Sequence, residues 1–337
     1  MNRDEMRRHA EKDGVLAVIP CLNEEEDIAA VIAAALKDRD RFHLLIIVAD
    51  GGSSDATRAI VRESAGVSPE VRLMDNPQKI QSAGINRAVQ LFGEAKRWLV
   101  RMDAHCAYPD RYISGLVEEA ERANASSVVV AMNACGKNLF QRAAATAQNT
   151  LLGTGGAAHR MKGKSGFVDH GHHALFDMNM FRAVGGYDEH LSHNEDAEFD
   201  LRLSRAGGRI WLTRALWVDY FPRGRARDLF RQYLNYGRGR AATTLQHRAR
   251  PKLRQLLPAA VAPAAALLIA APWYPIAAFP VLLWLGVCLM YGGILALRAR
   301  SFDAAVSGPA AIIMHAGWSI GFWRGLFQAF HRESGIS

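Results

Sequence analysis

Cysteine is scarce: four in 337 residues, Cys21, Cys106, Cys135 and Cys288, with no recurrent spacing. That placement excludes a disulfide scaffold and suits a reducing compartment. No Gly-x-Gly-x-x-Gly turn follows the first apolar run, where Pro20-Cys-Leu-Asn-Glu24 stands instead. Hydride transfer on a dinucleotide therefore lacks its phosphate turn. P-loop hydrolysis is excluded as well, since Lys162-Gly-Lys-Ser165 has no leading glycine and follows no clear strand. The His170-Gly-His172-His173 run has neither a cysteine partner nor His-Glu-x-x-His spacing, which speaks against a dedicated zinc site. The opening Met-Asn-Arg-Asp-Glu starts no apolar h-region, so no cleaved signal is expected over the tail 1–13. There is no internal repeat and no low-complexity linker.

Charge is missing altogether from Gln255 to Leu297, 43 residues without Asp, Glu, Lys or Arg. As one helix that run would measure about 65 Å, twice the ~30 Å hydrocarbon core. The spacing predicts a transmembrane hairpin over 255–297, turning where Pro272 and Pro275 flank Trp273 and Tyr274. After Arg298-Ala-Arg300, a further uncharged stretch, 304–323, is a candidate third span, weakened by its Gly, Ser and His content. Ahead of the hairpin, the region 221–254 holds ten Lys or Arg against the single acid Asp228. That is +9 in a chain of net +8. The positive-inside rule then puts the N-terminal 254 residues in the cytoplasm and the chain, multi-pass, in a membrane. Tyr233 and Tyr236 within the basic tract invite a nucleic-acid reading. The tract abuts the apolar run, however, and attraction to an anionic leaflet explains it more simply, so no nucleic-acid partner is expected.

Half the residues are apolar, ample for a buried core and incompatible with disorder. Short apolar runs, Val15–Pro20, Leu44–Ala49, Val71–Met74, Trp98–Met102 and Val128–Met132, read as strands. They alternate with amphipathic stretches, Glu26–Leu36, Thr57–Ser64, Gln78–Leu91 and Asp110–Ala123, that read as helices. Such βαβα alternation predicts an α/β domain with a doubly wound parallel sheet, with ligands at the carboxyl ends of the strands. Past residue 135 the pattern turns irregular, and Gly153-Thr-Gly-Gly156 and Lys162-Gly-Lys-Ser-Gly166 mark loops or a flap.

Acidic residues close several of these strands. Asp50, followed by glycines, can accept hydrogen bonds from a base or a ribose; its structural alternative is a cap around Ser53–Asp55. Asp103-Ala-His105 offers an oxygen and a nitrogen at one strand end, suited to a divalent cation that steadies a departing diphosphate. Its alternative is an ordinary turn. Asn194-Glu-Asp196 opens a predicted helix, where Glu195 or Asp196 is either a cap or a general base for an acceptor hydroxyl.

Taken in order, Val18-Ile-Pro-Cys-Leu-Asn-Glu24, Val48-Ala-Asp-Gly-Gly-Ser-Ser-Asp-Ala-Thr57, Asn76-Pro77 with Gly84-Ile-Asn-Arg-Ala88, Asp103-Ala-His105, Val184-Gly-Gly-Tyr-Asp-Glu189 and Asn194-Glu-Asp-Ala-Glu198 resemble the motifs of glycosyltransferase family 2. The resemblance spans about residues 14–240 and is nearest to the glucosyltransferases of succinoglycan biosynthesis. It implies a GT-A type nucleotide-sugar-binding domain over 14–220, a UDP-sugar donor, Mn²⁺ or Mg²⁺, inversion at the anomeric carbon and a lipid-linked saccharide acceptor. By the same resemblance, Pro20, Asn23, Glu24 and Asp50 would line the uridine pocket, with Asp55 and Lys79 at its edge. Asp103 would hold the metal, with His105 where the family usually has a second Asp. Asp196, beside Glu195, would be the base. Gln232-Tyr-Leu-Asn-Tyr-Gly-Arg238 stands where processive synthases carry Gln-x-x-Arg-Trp, and leaves Arg238 for the diphosphate. The missing Arg-Trp argues against a processive synthase. The acidic Pro20–Glu24 loop argues against a sugar-phosphate nucleotidyltransferase.

Overall fold

A computed structural model describes residues 14–156, 160, 163–191, 193–248 and 253–333. The tail 1–13, Lys162, and Arg250 and Lys252 of the basic tract lie outside them. The chain forms two compact units, Met1–Met132 with Lys162–Tyr220, and Asn133–Met161 with Phe221–Ser337.

The first unit runs β1 (Gly14–Cys21), α1 (Ile28–Leu36), β2 (His43–Asp50), α2 (Thr57–Val67), β3 (Val71–Asp75), α3 (Gln81–Phe92), β4 (Trp98–Arg101), β5 (Cys106–Ala107), α4 (Tyr112–Ala123), β6 (Ser127–Ala134), β7 (Gly166–Val168), β8 (His172–Asp177), α5 (Met178–Ala183), α6 (Glu195–Arg205) and β9 (Ile210–Tyr220). The strands form one sheet ordered β3-β2-β1-β4-β8-β6-β9-β5, with β7 against β9. Val15 to Ile19 of β1 are wholly buried, the continuous apolar run of a strand covered on both faces. Truncating one of them, Leu16→Ala for instance, costs about 2–5 kcal/mol.

The sheet is mixed, which corrects the expectation of a parallel one. β1, β2, β3 and β4 pair in parallel, but β8 enters between β4 and β6 and is antiparallel to both. The alternating pattern gave β6 the right direction and the wrong neighbour. The inserted strand has only the short apolar patch Ala174–Phe176 to announce it. From β1 the chain winds one way through β2 and β3, while β4 lies on the other side of β1. Loops leaving β1 and β4 therefore face the crevice at this switch point.

In the second unit, helix Ala226–His247 carries Arg227, Arg231, Arg238 and Arg240 of the basic tract and packs on helix Ser307–Glu333. Glycines set the closeness of that pair. A Cβ on Gly321 would lie 1.9 Å from the Leu234 carbonyl oxygen, and one on Gly237 would lie 2.0 Å from that of Trp318. With Gly317 and Gly325 also against the partner helix, this is a small-xxx-small stripe of the kind that brings helix backbones together in membranes.

Among the described residues one helix is long and apolar enough to cross a membrane, Pro275–Ala299, 25 residues and mostly uncovered. The first arm of the expected hairpin, Gln255–Ala270, is too short at 16 residues, about 24 Å as a helix. Pro258 and Pro263 interrupt it. The third expected span, 304–323, lies largely within Ser307–Glu333, whose glycine face is occupied by the basic helix. Trp273 and Tyr274 are 74% and 68% exposed, at the turn expected of them.

Candidate active site

Cys21, Asp50 and Asp75 share one register row, so the carboxyl ends of β1, β2 and β3 are level. The segments leaving β1 and β2 are joined by backbone-to-side-chain bonds. Asn23 N–H donates to Ser53 Oγ at 2.8 Å, Glu24 N–H to Thr57 Oγ1 at 2.8 Å and Glu25 N–H to Asp55 Oδ2 at 3.2 Å. In return Ser54 N–H donates to Asn23 Oδ1 and Ala56 N–H to Glu25 Oε2, each at 2.8 Å. Asn23 adopts φ +57°, a left-handed conformation that asparagine tolerates better than most residues.

Asp50 is 1% exposed and turns its carboxylate into this loop, accepting from Gly52 N–H, from the Ser53 N–H and hydroxyl, and from Arg58. Burial alone pushes its pKa up, but the bonds from Ser53 and Arg58 prevail and hold it below the usual carboxylate range. Arg58 also donates to Asp75 Oδ1 at 2.8 Å, so one guanidinium ties the ends of β2 and β3. The Cys21 thiol, 3.8 Å from Asp50, is pushed up to about 12 by burial and by that carboxylate. It is a packing group rather than a nucleophile. Pro20 is buried opposite Ala49. Lys79 stands exposed at φ +60° in the turn after β3.

At the end of β4 a charged residue enters the interior. Arg101 is 4% exposed; Nε lies 3.2 Å from Asp103 Oδ1, and Nη1 lies 2.6 Å from Asp196 Oδ1 and 3.6 Å from Glu195 Oε1. A buried guanidinium needs such partners, since alone it forfeits its hydration uncompensated. Asp103 Oδ1 also accepts from Gln81 Nε2 at 2.9 Å, and Oδ2 lies 3.7 Å from His172 Nε2. The Tyr108 hydroxyl accepts from Asp103 N–H and donates to the Asp103 carbonyl, which fixes the turn. His105 Nδ1 is 3.2 Å from Glu24 Oε1, so the loops after β4 and β1 meet. Burial opposes ionisation of Asp103, yet Arg101, His172 and His105 hold its pKa below the ordinary value.

This donor set fits a divalent cation. Arg101 and Gln81 both engage Oδ1, leaving Oδ2 as the oxygen for a hard ion, and Mn²⁺ or Mg²⁺ accepts a carboxylate with few other protein ligands when phosphates complete the shell. Among the described residues no group of three or more His, Cys, Asp or Glu converges as a full cage.

The acid pair opens α6. Asn194 precedes it at φ +67°, and the helix carries acids in its first turn and Arg202 and Arg205 in its last, complementing the helix dipole. Neighbouring carboxylates here differ sharply. Glu195 is driven up to about 7 by burial and then by the adjacent Asp196 charge. Asp196, against burial, is held well below the carboxylate range by Arg101 and His173. His173 is 1% exposed, with Nδ1 2.6 Å from the Tyr187 hydroxyl and 3.3 Å from Asp196 Oδ1, and Nε2 2.8 Å from Asp200 Oδ1.

The structure thus brings Pro20, Asn23, Glu24, Asp50, Asp55, Lys79, Asp103, His105, Glu195 and Asp196 into the first unit. Glu24 is joined to His105, and Asp103 to Asp196 through Arg101. Arg238 lies in the second unit, exposed on helix Ala226–His247. Sequence reading assigned no site role to Arg58, Arg101, His173, Tyr187 or Asp200. His173 stood in the histidine run weighed for zinc and Tyr187 in the Gly-Gly-Tyr motif, and the available signal for Arg101 was an arginine in the apolar strand Trp98-Leu-Val-Arg101.

A mixed sheet with a parallel half, a strand-end acid at the switch point and an acid pair opening a helix beneath it define a GT-A type glycosyltransferase domain. The chain belongs to glycosyltransferase family 2: the family model Glycosyl transferase family 2 matches residues 16–185. It is 49% identical over 315 residues to the succinoglycan biosynthesis protein ExoA of Rhizobium meliloti (strain 1021), covering 93% of this chain and 95% of that protein. Among solved structures, mannosyltransferase PcManGT from Pyrobaculum calidifontis, in complex with GDP-Man and Mn²⁺, aligns with TM-score 0.60 at 17% identity, covering 93% of this chain and 87% of that one. That likeness supports the fold. The family model ends before the acid pair.

Proposed function

We propose that the protein is a membrane-associated, inverting hexosyltransferase that moves one glucose from UDP-glucose, in β linkage, to a lipid-linked saccharide during exopolysaccharide assembly. The observation that carries this reading is the shared guanidinium of Arg101, which holds Asp103 on one side and Asp196 with Glu195 on the other. Inverting transfer needs a group that steadies the leaving diphosphate and a base for the incoming hydroxyl, on opposite sides of one carbon.

In this reading the joined loops after β1 and β2 receive the nucleoside, with Asn23, Glu24 and Asp55 at the rim and Lys79 at the edge. Asp50 acts by holding the shape of the loop and the position of Arg58. Asp103, with His105 as the second ligand, would hold Mn²⁺ or Mg²⁺, which would supply positive charge to the departing diphosphate. The pair Glu195-Asp196 takes the proton of the acceptor hydroxyl. Pro275–Ala299 and the basic helix hold the enzyme at the inner leaflet, where enzyme and lipid-linked acceptor share a thin layer of high effective concentration. Arg238 serves that basic face.

Mass spectrometry of the lipid fraction after incubating membranes with UDP-glucose tests the reading. One added hexose per lipid is expected. A ladder of additions defeats single transfer, and labelling confined to water-soluble acceptors defeats the lipid-linked acceptor. Extraction of the intact chain by carbonate defeats the membrane span.

A further inference from the structure

The histidines that tempted a zinc reading have other partners. Asp196 and Asp200 lie one turn apart on one face of α6, and His173 of β8 stands between them, 3.3 Å from Asp196 Oδ1 and 2.8 Å from Asp200 Oδ1. Asp200 Oδ2 is in turn 2.7 Å from His170 Nδ1, and His170 is partly exposed. An alternating chain, Asp196–His173–Asp200–His170, therefore runs from the proposed base toward the surface. Phe176, Phe181, Tyr187 and Phe199 form the aromatic packing around it, with Phe176, Tyr187 and Phe199 directly against the His173 ring. Against burial, Asp200 and then Tyr187 and Asp196 hold His173 well above the ordinary histidine range. A cation enclosed by apolar rings persists only where carboxylates compensate it, and here both compensating groups come from the helix that carries the acid pair.

We propose that His173 is a positioning residue for Asp196: bridging Asp196 and Asp200, it pins the first turn of α6 to β8 and fixes the direction of the Asp196 carboxylate, with His170 anchoring the outer end of the chain. This rests on the general-base reading of the acid pair. Asp196 faces Arg101 and Tyr187 besides His173, with Glu195 beside it on its own helix and Asp103 and His172 nearby. Arg101 thus supplies charge from one side while His173 sets orientation from the other. Losing His173 leaves Asp196 ionised by Arg101 but free to rotate, and more basic by the loss of one cation.

The test uses the full-length chain in detergent with His173→Gln, which keeps a side-chain donor without a charge, and Asp200→Asn. For His173→Gln we expect kcat to fall about 10–100-fold with UDP affinity, by calorimetry, within threefold. The acid limb of the kcat profile should move to higher pH; Asp200→Asn should shift both quantities in the same direction by less. Unchanged kcat and an unchanged limb with only a lowered Tm would make His173 a packing residue and overturn the proposal, as would a parallel loss of UDP affinity. A second measurement needs no turnover. In spectra of protein labelled with ¹⁵N-histidine, His173 is expected to stay an imidazolium beyond the ordinary histidine range and to lose that state in Asp200→Asn with Asp196→Asn. A neutral His173 in the wild type overturns the chain itself. A wild type with the imidazolium intact that transfers no sugar from any nucleotide donor overturns the general-base reading instead.

Discussion

Asn86 grips Tyr187 by both of its backbone groups: Oδ1 accepts from the Tyr187 N–H at 2.9 Å, and Nδ2 donates to the Tyr187 carbonyl at 2.8 Å. Two sequence motifs meet in that contact, Gly84-Ile-Asn86 on α3 and Gly185-Gly-Tyr187 before α6. Gly186 lies at φ +69°, and a Cβ there would come within 2.5 Å of Asn86 Oδ1, so only glycine lets the turn approach.

Asn86→Ala should therefore strand two backbone groups of a buried residue. A loss of about 2–6 kcal/mol is expected, each unsatisfied group costing about 1–3 kcal/mol. Urea titration of the purified protein measures it. A loss below about 0.5 kcal/mol would mean that water or a shifted turn replaces both bonds.

Asp103→Asn keeps the shape of the side chain beside Arg101 and Gln81 but removes the negative oxygen. Turnover should fall at least about 10²-fold, a typical effect of deleting one transition-state charge stabiliser. Chelation should silence the wild type, Mn²⁺ should restore it, and the variant should remain insensitive to added metal. Restoration of the variant by Mn²⁺ would move the metal elsewhere.

Glu195 gives the fold a pH signature with a definite sign. Its carboxyl sits at about 7 in the folded protein against a reference of 4.5. Its favourable share is complete below pH 4.5 and is lost as pH rises through 7, by about 3 kcal/mol at most. Glu195→Gln should thus gain on the wild type between pH 5 and 8, read as the difference in Tm at each pH. A difference that stays flat would place Glu195 in water.

Gly321→Val should drive the helices Ala226–His247 and Ser307–Glu333 apart, costing about 1–3 kcal/mol or more by overpacking. Gly286→Ala is the control, because nothing lies within 4 Å of a Cβ there; it should gain about 0.5–1 kcal/mol of helix stability. Thermal unfolding in detergent compares the two, and equal behaviour would discard the glycine stripe as a packing device.

Much of this was legible beforehand where local pattern decides structure. Val15–Ile19 and Leu44–Ala49 read as strands because unbroken apolar runs flanked by polar turns have few other uses. Glu24, Asp50 and Asp103 could be placed at the strand ends because parallel strands deliver their last residues to one edge. The inserted strand β8 escaped because three apolar residues carry no period. Arg101, His173 and Asp200 escaped because their partners are distant in sequence, and only the fold shows which buried charges compensate one another. Of the expected hairpin, only Pro275–Ala299 is long and apolar enough to cross a membrane, because lack of charge measures solvent preference alone, whereas helix length depends on prolines and on which face a neighbour covers.

Six hydrogen bonds join the segment 22–25 to the segment 53–57. A ligand that meets this edge finds the backbone ordered, so association forfeits little chain entropy there. Two consequences follow for the solution thermodynamics of UDP binding in the proposed function. Its entropic penalty should come mainly from the diphosphate end and from translation, and loosening the seam, by Asn23→Gly for example, should weaken binding through an added ordering cost even though the carboxylates stay in place.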